Sequence, residues 1–571
     1  MSTHPPQAAD MGNGPTTDAG TPGIGARLWR RDLAHYPDPA RRYGYLAIVV
    51  VTTVVLYYML YVQYAVATSI ITNYHMSYTY FVWVSVIGNA VGAFTSLIAG
   101  FADRWGRANL VVYGLLVAGL LLLLGLPNSP NETAYLILFA AVGFVEGIVL
   151  VATPALIRDF SPQLGRATAM GYWTMGPVLG SLVVTVVTSS TLDSSTWQDE
   201  LRYSGIAGLI MFVIALLGLR ELSPGMRDQV MVSLHDRKLV EARAERAAPV
   251  RESQQTWRQM LHLDVVGSAI AISLFLLLYF AAVGNFVVYF SANFGYSQQR
   301  TNGLANWYWG ANAIALVVAG LLSDLVKVRK PFMLVGGLGS IAVTSTFAVL
   351  ATHPHTGYYT FAVLFIGIGA LSGIAYAPWM ASFTETVERR NPAATATGLA
   401  VWGWIIRIVV AVSSAFVPIV VTSASPLVEH GTEVATAQAQ AAPALAVVDA
   451  HPEIFAQLAK YPPTAIPPAL AQQAAREVGP ADLALVQKAQ PQLKILREHG
   501  PEVQKAVADG PGQWQTWWWV TVGGQVVFIP FIFVMAGRWS PKKAREDAER
   551  HRGYVDSEVS ALADGGARPA S

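Results

Sequence analysis

The sequence predicts an all-α polytopic membrane protein. About twelve transmembrane helices would form two pseudo-symmetric six-helix bundles, with an external helical insert between helices 11 and 12. Three observations predict this class. Hydrophobic residues fill 53% of the 571 positions and charged residues only 13%, whereas a soluble domain carries roughly 25% charged residues. About twelve segments approach the ~20 mostly apolar residues that a bilayer-spanning helix needs. A charged, glycine-bearing turn, Ala99-Gly100-Phe101-Ala102-Asp103-Arg104-Trp105-Gly106-Arg107, has a weaker copy from Gly320 to Lys330 at the matching place in the second half. Such internal repetition is expected of a membrane protein built from two related bundles.

Residues 1–42 are rich in Gly, Pro, Thr and Ala without an apolar core. They read as a disordered cytoplasmic tail with no cleavable signal peptide. The first bundle, 43–219, holds apolar segments at 43–67, 78–99, 110–126, 134–157, 167–189 and 203–219. The central loop, 220–262, contains opposite charges three or four residues apart from Asp236 to Arg246, which suits a surface helix. The second half, 263–422, supplies segments at 265–290, 303–322, 331–351, 358–381 and 394–422. A last span, 514–536, sits in a unit at 513–537, before a cytoplasmic tail at 538–571.

The insert, 423–512, is rich in Ala, Pro and Gln. Residues 454–460, 468–477 and 481–497 read as short amphipathic helices between Pro and Gly breaks. Two readings stand: a loosely packed helical excursion, or a cap that restricts the outer mouth or docks a partner.

Charge alternates between loops. Arg27, Arg30, Arg31, Arg41, Arg42, Arg104, Arg107, Arg158, Arg166, Lys327, Arg329, Lys330, Arg389, Arg390 and Arg538 fall on one side, while the other short loops hold almost none beyond Arg202 and Arg300. Excess Lys and Arg marks the cytoplasmic side, so both termini are expected inside. The chain has no cysteine, which excludes disulfides, thiolate metal sites and a cysteine nucleophile.

The turn at 99–107 carries its own chemistry. Gly106 lets the chain reverse sharply; Asp103 can accept bonds from a neighbouring helix N-terminus, and Arg107 can pair with a carboxylate. It resembles the cytoplasmic-loop signature G-x-L-A-D-R-x-G-R-R/K of the major facilitator superfamily, with Ala99, Phe101 and Ala108 departing from it. The resemblance implies alternating access between two bundles. It implies a conformational latch at Asp103, Arg104, Gly106 and Arg107, echoed by Asp324 in the half-copy, with Asp159 at the inner end of the fourth helix as the partner of Arg107. In the fifth span, Gly171 to Ser181 is similar to the family's G-x-x-x-G-P-x-x-G-G antiporter motif at Gly176, Pro177 and Gly180. Those residues also read simply as a helix kink with close packing.

Two charges fall near mid-span, Glu146 in the fourth and Arg407 in the eleventh. An ion at bilayer depth costs roughly 2.5–3.5 kcal/mol on insertion scales, so it needs a partner or a watery cavity. The family's R-x-x-Q-G motif is matched only by Gly147, with Glu146 for glutamine and Gly143 for arginine. Burial favours the protonated acid and a nearby cation favours the carboxylate, which makes Glu146 the proton-coupling candidate. Arg407 cannot deprotonate and would hold an anionic group or counter Glu146; a permanent buried salt bridge is the plainer reading. Polar aromatic stripes add candidate substrate contacts at Tyr57, Tyr61, Asn285, Asn306, Trp309, Tyr376 and Trp379, each equally readable as helix packing.

No Walker A, zinc-protease or dinucleotide pattern stands in usable context, so neither an enzyme nor a cofactor or metal is expected. The preferred reading is a proton-coupled symporter of a small carboxylate-bearing solute in the plasma membrane. A proton-coupled exporter of amphipathic compounds is the alternative, and a non-transporting sensor or scaffold the remote one. Expected partners are a small-molecule substrate, protons and the lipid bilayer, with no nucleic acid, in a functional monomer.

Overall fold

A computed structural model of the chain describes residues 31–33, 37–98, 106–160, 166–223, 260–390, 395–462 and 465–547, with positions 29, 549, 550, 553 and 557. The expected surface helix in the central loop, together with Asp103 and Arg104, lies outside the described residues.

The first half is built from α1 (Pro39–Ala65), its short continuation α2 (Ala67–Tyr74), α3 (Tyr78–Ile98), α4 (Arg107–Leu120), α5 (Glu132–Phe160), α6 (Arg166–Thr191) and α7 (Trp197–Gly218). Local signals set several ends. α1 opens on a proline, whose fixed φ suits the first turn. α2 stops at His75 in a left-handed conformation. α7 starts with a capping box between Thr196 and Asp199.

The second half holds α8 (Ser268–Phe275), α9 (Leu277–Phe294), α10 (Gln298–Leu325), α11 (Lys330–Leu350), α12 (Tyr358–Arg390) and α13 (Thr395–Val420). Then come the insert helices α14 (Ala424–Glu429), α15 (Gly431–Ala450), α16 (Pro452–Leu458), α17 (Pro468–Glu477) and α18 (Pro480–Lys488), and finally α19 (Gln490–Val534). Among the described residues, eleven helical stretches are long and apolar enough to cross a bilayer; α3, 21 residues without a charge, supplies the remaining member of the twelve. The halves meet where α6 packs on α10 and α3 on α13.

Two boundaries differ from the sequence reading. The tail expected to be disordered contributes ordered chain: Asp32–Leu33 (β1) pairs in parallel with Glu221–Leu222 (β2), just after α7. Anchoring comes from Arg31 beside it, 2% exposed. At the other end, the twelfth span is not separate from the insert. α19 runs 45 residues without interruption through Pro501, Pro511 and Pro530. The sequence reading ends a short helix at 497 and begins the last span at 514; in the structure α14, α15 and α18 pack along the first half of α19 and hold it helical throughout. The insert carries two small apolar clusters of its own, around Ala441 and Val486 and around Ile454 and Val478.

Candidate functional site

A cavity of about 490 Å³ lies between the halves, lined from α1, α3, α5 and α6 on one side and α9, α10, α12 and α13 on the other. The stripe on α1 faces it: the Tyr57, Tyr61 and Tyr64 rings follow one another at 5.3 and 6.4 Å. Glu146 and Arg407 line the same cavity from opposite halves, and their charges act on one another across it. Tyr57 sits within electrostatic reach of both.

Tight packing brings these groups together. A Cβ at Gly147 would run into the Gly92 carbonyl and the Thr95 hydroxyl, and one at Gly143 would lie 2.5 Å from the Gly88 carbonyl oxygen. α5 therefore rides directly on α3, which turns Glu146 toward the cavity. It also explains the missing arginine: position 143 has no room for a side chain. Gly176 and Gly180 act likewise between α6 and α1, since a Cβ at Gly180 would lie 2.5 Å from Tyr57 Cβ and one at Gly176 would collide with Thr53. Pro177 lines the cavity.

Among the expected substrate contacts, Tyr57, Tyr61, Asn285, Tyr376 and Arg407 line the cavity. Asn306, Trp309 and Trp379 do not. The Asn306 amide donates to Ser189 Oγ at 3.1 Å. Trp309 is 1% exposed, edge-on to Tyr279 at 5.0 Å. Trp379 is fully buried between Tyr376, Phe383 and Trp402. On α10 the cavity face instead presents Asn312, whose amide donates to Gly369 O and Ser372 Oγ, both at 2.9 Å. Sequence reasoning missed Asn89, Trp173, Tyr279 and Ser372, which also line the cavity. For Asn89 a signal existed: an amide in the middle of a charge-free span.

At the end bearing the charged turns, Arg107 Nη1 donates to Asp159 Oδ2 at 3.2 Å, with Asp159 almost wholly buried. Gly106 (φ +85°) leaves no room for a side chain beside Glu221, whose Oε2 accepts from the Arg107 amide at 2.8 Å. Glu221 was not anticipated. The second half repeats the pattern: Arg329 pairs with Asp324 at 2.6 Å and with Glu385 at 3.4 Å. At the insert end, hydrogen bonds join the halves directly. Asn302 Nδ2 donates to Ala65 O at 3.0 Å, Gln299 Nε2 to Asp193 Oδ2 at 2.6 Å, and Gln298 Nε2 to Ser69 Oγ at 2.8 Å and to Thr68. Tyr78 Oη donates to Asn285 Oδ1 at 2.8 Å.

Comparison with known proteins agrees with this architecture. A bacterial homologue of the human lysosomal transporter Spinster, in an inward-facing and occupied conformation, superposes with a TM-score of 0.51 at 15% identity, covering 87% of this chain and 97% of that one. A D-xylose–proton symporter gives 0.53 at 14% identity, over 66% and 90%. At these identities the likeness is one of fold. In sequence, the MFS transporter asaE of Aspergillus flavus is 36% identical over 107 residues, so the match spans 17% of this chain and about a quarter (24%) of that relative's length. A family profile for the Major Facilitator Superfamily matches residues 49–412, well over half of the chain. On that match, carried by a twelve-helix membrane-spanning fold, the chain belongs to the Major Facilitator Superfamily.

Proposed function

We propose that the protein is a proton-coupled secondary transporter that moves a small organic solute with an anionic group, a carboxylate by preference, through the cavity between its halves. One observation carries the reading: Glu146 and Arg407 face the same cavity from opposite halves, with Tyr57 in reach of both. A guanidinium that cannot lose its proton gives a fixed seat for an anion. The carboxyl across the cavity then exchanges a proton as the halves rock and its surroundings alternate between wet and dry. The hydrogen bonds at the insert end, against the cavity's reach toward Arg107 and Ala155, suit a state closed on one side. In this reading the protein sits in the plasma membrane, with the Lys- and Arg-bearing turns and both termini on the cytoplasmic side, as the loop-charge bias favours.

Proton-driven export of amphipathic compounds is the second reading. The aromatic lining favours it, with Trp173, Tyr279 and Trp402 beside the tyrosine stripe. In proteoliposomes, Glu146→Gln should abolish accumulation driven by an imposed pH gradient while exchange of substrate persists. Concentrative uptake by that variant would remove Glu146 from the coupling. Competition by organic acids supports the first reading, and competition by lipophilic cations the second.

A further inference from the structure

The insert does not stay over its own half. α14 packs on α2 and α3 of the opposite half, and Glu429 at its end accepts a hydrogen bond from the backbone N–H of Tyr78 at 3.0 Å. That amide opens the first turn of α3, where N–H groups have no partner within the helix. A carboxylate there is favoured by the helix dipole as well. Tyr78 is 1% exposed and its hydroxyl holds Asn285 on α9. One residue thus receives the insert through its backbone and the second half through its side chain. It lines the cavity as well.

The seat of α14 has a second feature. His430, between α14 and α15, stacks on His499 of α19, ring centroids 3.8 Å apart and planes 12° from parallel. Neutral rings stack favourably, whereas two imidazolium cations face to face repel. Glu433 on α15 approaches His430 Nδ1 at 3.9 Å, and Glu429 is engaged with Tyr78. On α19, Arg497, Glu498, Glu502, Lys505 and Asp509 are exposed, and Glu498 faces Lys494 at 3.8 Å. On the α2–α3 side, His75 is exposed, and α9 contributes no charged residue. One close carboxylate can offset one ring's charge but not two.

We propose that α14 is an acid-released latch on the insert-side mouth of the cavity. Glu429 holds the mouth shut by capping α3 of the opposite half, and charging of the His430–His499 stack unseats α14 and frees it. This goes beyond the transport reading above: it requires the halves to separate at the insert end, not that Glu146 carry a proton.

The chain has no cysteine, so Thr72→Cys with Thr436→Cys gives a spin-label pair spanning α2 and α15 without background. In nanodiscs, double electron–electron resonance should show one short distance at about pH 7.5 and a growing longer population toward about pH 5.5, the range in which histidines change charge. His430→Phe with His499→Phe keeps an aromatic stack that cannot titrate and should stay short at both values. Glu429→Ala should raise the long-to-short ratio roughly tenfold at both, the effect of losing one charge-assisted hydrogen bond. Glu429→Gln, which keeps an acceptor, should fall between. An unchanged pH response in the double phenylalanine variant, or an unchanged distance distribution in Glu429→Ala, overturns the proposal.

Discussion

Arg31 shows how much one residue outside the spans can do. Its Nε donates to Asn109 Oδ1 at 2.9 Å and its Nη1 to Leu216 O at 2.7 Å and Leu219 O at 3.3 Å. It therefore fills the C-terminal end of α7 with positive charge, where the last carbonyls have no helical partner. Burial chiefly, and Arg220 next, lower its pKa, yet a guanidinium stays charged at any working pH. Arg31→Ala should lower the thermal stability of the purified protein by about 1–3 kcal/mol, since buried acceptors lose their donor. Arg31→Lys should restore only part, because an ammonium cannot span the same fork. Equal melting temperatures for all three proteins would refute this role. The sequence showed Arg31 only as one more inner-side charge. Its acceptors lie 78 to 188 positions away, beyond the reach of any periodicity.

At the scale of elements, hydropathy located the spans because a bilayer demands long apolar runs, and it placed most of them within a few residues. It misread α19, where a short helix ending at 497 and a span beginning at 514 are in fact parts of one continuous helix held by packing. The insert is nonetheless a closed excursion. Ser423 N donates to Gln513 Oε1 at 2.8 Å, Gln513 Nε2 to Thr422 Oγ1 at 3.0 Å, and a Cβ on Gly510 would lie 3.4 Å from Ser423 Oγ. Its ends already touch, so replacing residues 424–509 by a short Gly/Ser linker adds little closure cost. The twelve-helix core should then reach the membrane at near-normal yield, as checked by size-exclusion chromatography of the extracted protein. Complete loss of folded protein would mean that α14 and α15 are needed for assembly.

Across the whole molecule, the halves carry matching charge clusters, Arg107 with Asp159 and Arg329 with Asp324 and Glu385. Arg107→Ala takes the Arg107 guanidinium away from buried Asp159 and should lower the melting temperature. Arg107→Ala with Asp159→Asn removes both charges and should recover much of the stability, but not the transport rate if the pair balances the two end states. Normal uptake kinetics in the well-folded double variant would deny the pair that role. The Arg107–Asp159 pairing was legible through its motif, and Glu146 and Arg407 stood out because charge is costly in a membrane. The aromatic lining was not legible. Whether a tyrosine or tryptophan on α10 or α12 meets the cavity or a neighbouring helix depends on a rotation fixed by packing, as Trp309 and Trp379 show.

α19 also gives the molecule a lever. Its first two dozen residues project past the apolar span, so at 1.5 Å per residue each degree of tilt sweeps the tip through about 0.6 Å. A rocking motion too small to notice inside the bundle becomes a displacement of several ångströms at the insert. A binding protein raised against that tip would sense which state the helices occupy and could arrest the cycle by its grip there, without ever competing for the cavity.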